Sequence, residues 1–137
     1  MQTKPLIIAD RDIPFLEGVL EPYAEVRYLK GSAITANDVR GAEVLITRTR
    51  TRCDRALLEG SRIRLIATAT IGFDHIDTDY CRSRGIRVTT AAGCNARGVL
   101  QYIMAVLCRL GADPGWQPSE RTLGIVGVGH VGSLVEE

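Results

Sequence analysis

The sequence predicts an α/β protein built on a parallel β-sheet, and three observations carry that reading. Short, near-continuous apolar runs recur from Leu6 to Thr90, and segments with helical spacing or helix-stop residues lie between them. After Asn95 one long apolar segment follows at helical spacing. A last apolar run, Leu123-Gly124-Ile125-Val126, passes without a break into Gly127-Val128-Gly129-His130-Val131-Gly132. Apolar strands alternating with helices bury a sheet on both faces, which is the pattern of parallel pairing.

Taken in order, Leu6–Ala9 reads as a buried first strand followed by an Asp10/Asp12 turn. Pro14 can open a helix, and Phe15, Leu16, Val19 and Leu20 then supply its apolar face. Val26–Leu29 is a second strand, and Thr35 with Asp38 three residues on forms a capping box for a short helix. Val44–Thr47 is a third strand, and Asp54 caps a helix running through Leu57 and Leu58 to Gly60. Leu65–Thr70 is a fourth strand, followed by a helix from about Ile76 to Arg84 that Gly85 stops. Val88–Thr90 is a fifth. Residues 1–95 are therefore expected to form one flavodoxin-like domain with helices on both faces of its sheet. The helix over 96–110, with Val99, Ile103, Val106 and Leu110 on one stripe, is expected to be mostly buried and to act as a hinge. The stretch GADPGWQPSERT is a turn-rich surface connection.

Composition narrows the function. The chain has 137 residues, 45% hydrophobic and 24% charged, with a formal net charge of +1. That is a folded, soluble composition with no excess charge to favour nucleic acid or an anionic membrane. No apolar run nears the roughly 20 residues that span a bilayer, and the run after MQTKP is too short for a signal-peptide core. A cytoplasmic location is expected. Cys53, Cys81, Cys94 and Cys108 form no C-x-x-C pair, and His75 and His130 are the only histidines. No metal site is expected, and free, mostly buried thiols are the reading, with Cys94 left open because its Gly-Cys-Asn turn could face a ligand.

Three motifs carry chemistry. In the G-x-G-x-x-G run, Gly127 permits a tight turn and Gly129 lets backbone approach a pyrophosphate. Gly132 lets the next helix pack closely, so residues 96–137 read as a hinge followed by the truncated start of a Rossmann NAD-binding domain. In ATATIGFDHID, residues 67–77, Gly72 allows a sharp turn and Asp74 is placed to cap the next helix; from these residues alone an ordinary βα turn is the better reading, with His75 on the helix surface. In Thr47-Arg48-Thr49-Arg50-Thr51-Arg52 hydroxyls and guanidiniums alternate just past a strand end, where open α/β sheets bind ligands. Arg48 and Thr49, nearest the strand, are better candidates than Arg50 or Arg52.

The phrases TATIGFDHID, AAGCNARGVLQYIMAVL and RTLGIVGVGHVG resemble the D-specific 2-hydroxyacid dehydrogenases. IIADRDIPF, LKGSAIT and LITRT extend the resemblance along essentially the whole chain. It is narrower to those members that oxidise 4-phosphoerythronate at its 2-hydroxyl with NAD, a step towards pyridoxal phosphate. It implies substrate contacts at Thr49, where serine is usual, and at Thr70; separately, the loop position of Arg48 leads to the expectation that it reaches a phosphate. It implies cofactor contacts at Gly127, Gly129, His130, Val131 and Gly132, with His130 standing where asparagine is common. It also implies a homodimer, a phosphorylated 2-hydroxy acid as partner, and a catalytic arginine, glutamate and histidine beyond residue 137. On that reading no residue present is catalytic. A non-catalytic module binding a small acid or nucleotide is the alternative; a corepressor role has no feature here to support it.

Overall fold

The computed structural model describes residues 4–113 and 115–137. It divides into two compact units, Met1–Ala91 and Ala92–Glu137. In the first, five strands are all parallel: β1 (Leu6–Asp10), β2 (Glu25–Leu29), β3 (Val44–Thr47), β4 (Leu65–Thr68) and β5 (Arg87–Thr90). Their order, β2-β1-β3-β4-β5, is the flavodoxin-like one expected from the sequence. The register sets Ile8 beside Leu45 and Leu45 beside Ile66. These three side chains are buried and form the centre of the core, joined by Val39, Leu57, Leu58 and Ile86 from the connections.

The same register produces a polar row at the carboxyl edge of the sheet. Thr47 pairs with Thr68, and Thr68 with Thr90, while Asp10 closes β1. Asp10, Thr47 and Thr68 are buried despite their polarity, so each must find hydrogen bonds within the fold.

Short helices connect the strands: α1 (Ala36–Val39), α2 (Arg55–Leu58) and α3 (Thr78–Ser83). Before α1 the Thr35 amide donates to Asp38 Oδ2 at 2.8 Å, as the capping box requires. Asp54 caps α2 by accepting from the Leu57 amide at 3.2 Å. The cap of α3 corrects the sequence reading: Asp77, not Asp74, accepts from the Tyr80 amide, at 2.9 Å. The helix starts two residues later than expected, and Ile76 instead forms a parallel bridge with Cys53.

The largest departure lies between β1 and β2. The helix expected from Pro14 through Leu20 does not form, and turns replace it. Phe15 takes φ 61° and Gly18 φ 87°, and left-handed residues at these two points interrupt a right-handed helix. Phe15 and Val19 are exposed, so the apolar spacing faces no core. Tyr28 pins the segment to β2, its hydroxyl 2.8 Å from Glu21 Oε1.

In the second unit α4 (Ala96–Gly111) is as long as expected but is not mostly buried; Ala96 alone is fully covered, and Tyr102, Met104, Val106 and Leu110 are exposed. Within this unit the helix packs chiefly on the short α5 (Gly132–Glu136), too small to cover a four-turn apolar stripe. Leu123–Val126 is not a strand, because no neighbouring strand offers it a ladder. The thiols split evenly: Cys53 and Cys81 are buried, whereas Cys94 and Cys108 are exposed.

Candidate substrate cleft and glycine turn

Two loops leave the carboxyl edge of the sheet side by side, one after β3 and one after β4. Backbone bonds tie them together: Ala69 N–H donates to Thr47 O at 2.9 Å, Cys53 N–H to His75 O at 2.8 Å, and Asp77 N–H to Cys53 O at 2.9 Å. Between them opens a cleft of about 470 Å³ lined by Thr49, Arg52, Asp54, Asp74, His75 and Asp77. The volume suits a small polar metabolite. Arg52 is ion-paired with Asp54 at 3.0 Å, but its side chain is 85% exposed, so the pair holds it only weakly.

Of the residues singled out from the sequence, the structure places Thr49 directly on this cleft. Thr70 lies beside it rather than on its wall. Its hydroxyl donates to Gly72 O at 2.9 Å and stands 2.6 Å from Thr68 Oγ1. Arg48 is not on its wall either; its Nη1 donates to Asp12 O at 2.9 Å, which leaves its remaining N–H groups outside that bond. Arg52, ranked below Arg48 on strand proximity, is the arginine on the cleft.

His75 corrects its expected place. It is half-buried, precedes α3, and sets Nε2 3.2 Å from Thr68 Oγ1. Burial holds its pKa below the usual 6.5, partly offset by the charge of Asp74. Its neighbour Cys53 is no nucleophile: burial, with Cys81 and Asp54 adding to it, pushes the thiol up to about 12. Sequence reasoning missed His75 because a helix placed from Ile76 made it a surface residue. The signal that could have found it is the T-x-T run ending β4, which gives a buried hydroxyl in need of a partner.

A second buried node ties the loop after β3 to the segments that follow β1 and β2. The Asp10 carboxylate accepts from the amides of Asp12 at 3.0 Å and Gly31 at 3.2 Å, and Thr51 Oγ1 donates to Gly31 O at 2.9 Å. A Cβ on Gly31 would overlap Asp10 Oδ2, so only glycine fits there.

The glycine turn lies wholly in the second unit. Gly127 has φ 89°, which a side chain would strain. A Cβ on Gly132 would collide with the Gly127 carbonyl oxygen, so the third glycine is needed for the turn to close. A Cβ on Gly129 would meet nothing within 4 Å, so that position faces open space. The arrangement fits a dinucleotide pyrophosphate: bare backbone borders free volume at the middle glycine, and the first and third glycines serve the turn itself. His130 lies against the Gly93 turn, where an added Cβ would come 3.1 Å from Nδ1. The opposite edge of the sheet also has a hollow, of about 350 Å³ near Glu43, Arg64 and Arg87, but it lies where strands begin rather than end.

The D-isomer specific 2-hydroxyacid dehydrogenase catalytic domain matches residues 6–104, and the chain belongs to that family. Within it, the chain is 48% identical over 126 residues to erythronate-4-phosphate dehydrogenase of Porphyromonas gingivalis, covering 92% of this chain and 34% of the relative. Identity to the enzyme of the same name from Bacteroides fragilis is 52% over 132 residues, covering 96% of this chain and 38% of the relative. The chain thus spans little more than a third of the relatives it matches. Among solved structures, D-lactate dehydrogenase from Aquifex aeolicus, complexed with NAD and lactic acid, superposes with a TM-score of 0.67 at 25% identity, covering 95% of this chain and 46% of that one. The TT0316 protein of Thermus thermophilus gives 0.68 at 27% identity, covering 96% and 51%.

Proposed function

We propose that the complete gene product oxidises 4-phosphoerythronate, or a closely similar phosphorylated 2-hydroxy acid, at its 2-hydroxyl. The observation that carries this is the cleft between the TRTRT and TATIGFDHID loops, in a stretch where relatives bearing that enzyme's name are about half identical. In the reaction the substrate's C2 hydrogen leaves as hydride, its hydroxyl proton goes to a base, and a 2-oxo acid remains. NAD, when bound, supplies the hydride acceptor. The first unit binds the acid and the second the nucleotide.

Thr49 and Thr70 contact the substrate through their hydroxyls. Arg48, whose free N–H groups match a phosphate's oxygens, holds the phosphoryl end. Gly127, Gly129, His130, Val131 and Gly132 hold the cofactor mainly through backbone, which is why His130 in place of asparagine is compatible with binding. Among the described residues none is assigned the role of the base; His75 is engaged with Thr68, and His130 lies against the Gly93 turn. On this reading the enzyme works in the cytoplasm, as a homodimer, on the route to pyridoxal phosphate.

The test is kinetic. The complete gene product, given 4-phosphoerythronate and NAD, should form NADH, and Arg48→Ala should weaken the phosphorylated substrate far more than D-erythronate. Equal losses for both acids would show that Arg48 only anchors its loop to Asp12.

A further inference from the structure

The hydrogen bonds around β4 fix where three protons sit. Thr70 Oγ1 lies 2.9 Å from Gly72 O, a carbonyl that can only accept, so the single hydroxyl proton of Thr70 points there. The 2.6 Å contact between Thr70 Oγ1 and Thr68 Oγ1 must then use the proton of Thr68. Thr68 has no second proton to give. Its 3.2 Å contact with His75 Nε2 is a hydrogen bond only if Nε2 is the donor. Thr68 is 3% exposed, so solvent offers its oxygen little alternative. The backbone of His75 is anchored as well, since its carbonyl accepts from Cys53 N–H at 2.8 Å. Burial also favours the neutral ring, for which the choice of tautomer has meaning.

We propose that His75, as the Nε2–H tautomer, is a positioning residue: through Thr68 it aims the Thr70 hydroxyl proton at Gly72, so that Thr70 meets the substrate as an acceptor. This rests on Thr70 being a substrate contact. It deepens that reading by stating which substrate group the residue can take. An oxygen whose proton is already committed accepts from a hydroxyl and does not donate to a carboxylate or a phosphate. Thr70 therefore recognises one of the free hydroxyls of the sugar acid, and the anionic ends fall to other groups. Reversing the chain would require the Thr70 proton to leave Gly72 O without its donor.

Two measurements decide this. Long-range proton–nitrogen NMR of the 137-residue chain, above the pH at which His75 protonates, should show hydrogen on Nε2 and a bare Nδ1. Thr68→Val should remove that preference, and an Nδ1–H ring in the unaltered chain would overturn the proposal. Calorimetric titration with 4-phosphoerythronate gives the second reading. Thr70→Ala and His75→Leu should each weaken binding roughly three- to tenfold, the worth of one hydrogen bond. The double variant should lose no more than either single, and His75→Gln, which keeps an N–H donor, should recover most of the loss. Additive losses, or a His75→Gln variant as weak as His75→Leu, would show that His75 does not act through Thr70. If the unaltered complete gene product, on which this titration is run, fails to bind the acid, the assignment of this cleft to that substrate fails, while the tautomer still decides whether the relay exists.

Discussion

Gly129 and Gly132 sit three residues apart in one motif, yet a side chain at each meets a different fate. At Gly129 there is open space, and at Gly132 there is the Gly127 carbonyl. Gly129→Ala should therefore leave thermal stability unchanged while lowering NAD affinity of the complete gene product. Gly132→Ala should lower both. Melting curves paired with NAD titration separate the two, and equal melting losses would show that the middle glycine also serves the turn. Glycine roles are legible in sequence because spacing alone encodes them. His75 is not, because its role depends on a contact with Thr68, seven residues back, and on a helix boundary. Its depressed pKa has a consequence for stability. The unfolded chain takes up the proton more readily than the folded one, so stability falls as pH drops through about 6.5 towards the folded value. Chemical denaturation at about pH 7.5 and 5.5 should show that loss, and His75→Gln should flatten it. The carboxylates with lowered values, Asp38 among them, make their own loss at lower pH.

At the scale of elements, what can be read in advance is what burial on both faces enforces. The central strands β1, β3 and β4 are legible as apolar runs because they are covered on both sides, whereas the edge strands β2 and β5 carry exposed polar residues and rest on shorter apolar cues. The segment after β1 shows the opposite case. Phe15, Leu16, Val19 and Leu20 have helical spacing, but spacing specifies a helix only where a surface exists for the stripe to bury against. Leu123–Val126 fails for a related reason: apolar residues propose a strand, and a partner strand makes one. Caps add a testable distinction within α3. Asp77→Ala should cost about 0.5–2 kcal/mol by removing the Tyr80 N–H acceptor, whereas Asp74→Ala removes no cap. Urea denaturation of the two variants checks this, and equal destabilisation would return Asp74 to the capping role.

At the scale of the whole molecule, α4 presents Tyr102, Met104, Val106 and Leu110 to solvent in a unit with little else to cover them. Burying one large aliphatic side chain contributes about 1.5–3 kcal/mol, so this stripe carries a strong drive to association. Sedimentation of the 137-residue chain should show mass rising with concentration. Replacing Met104 and Leu110 with Gln should suppress it, and a strict monomer at all concentrations would mean the stripe finds cover within the chain. We propose more narrowly that the cleft beside β3 and β4 belongs to an enzyme for a phosphorylated 2-hydroxy acid. It is tested most directly by steady-state NADH formation by the complete gene product, with 4-phosphoerythronate and D-erythronate compared side by side. Turnover is expected with the first and a kcat/KM at least about a hundredfold lower with the second, the worth of lost charged hydrogen bonds to a phosphate. Equal kcat/KM for the two acids, or no NADH from either, would contradict it.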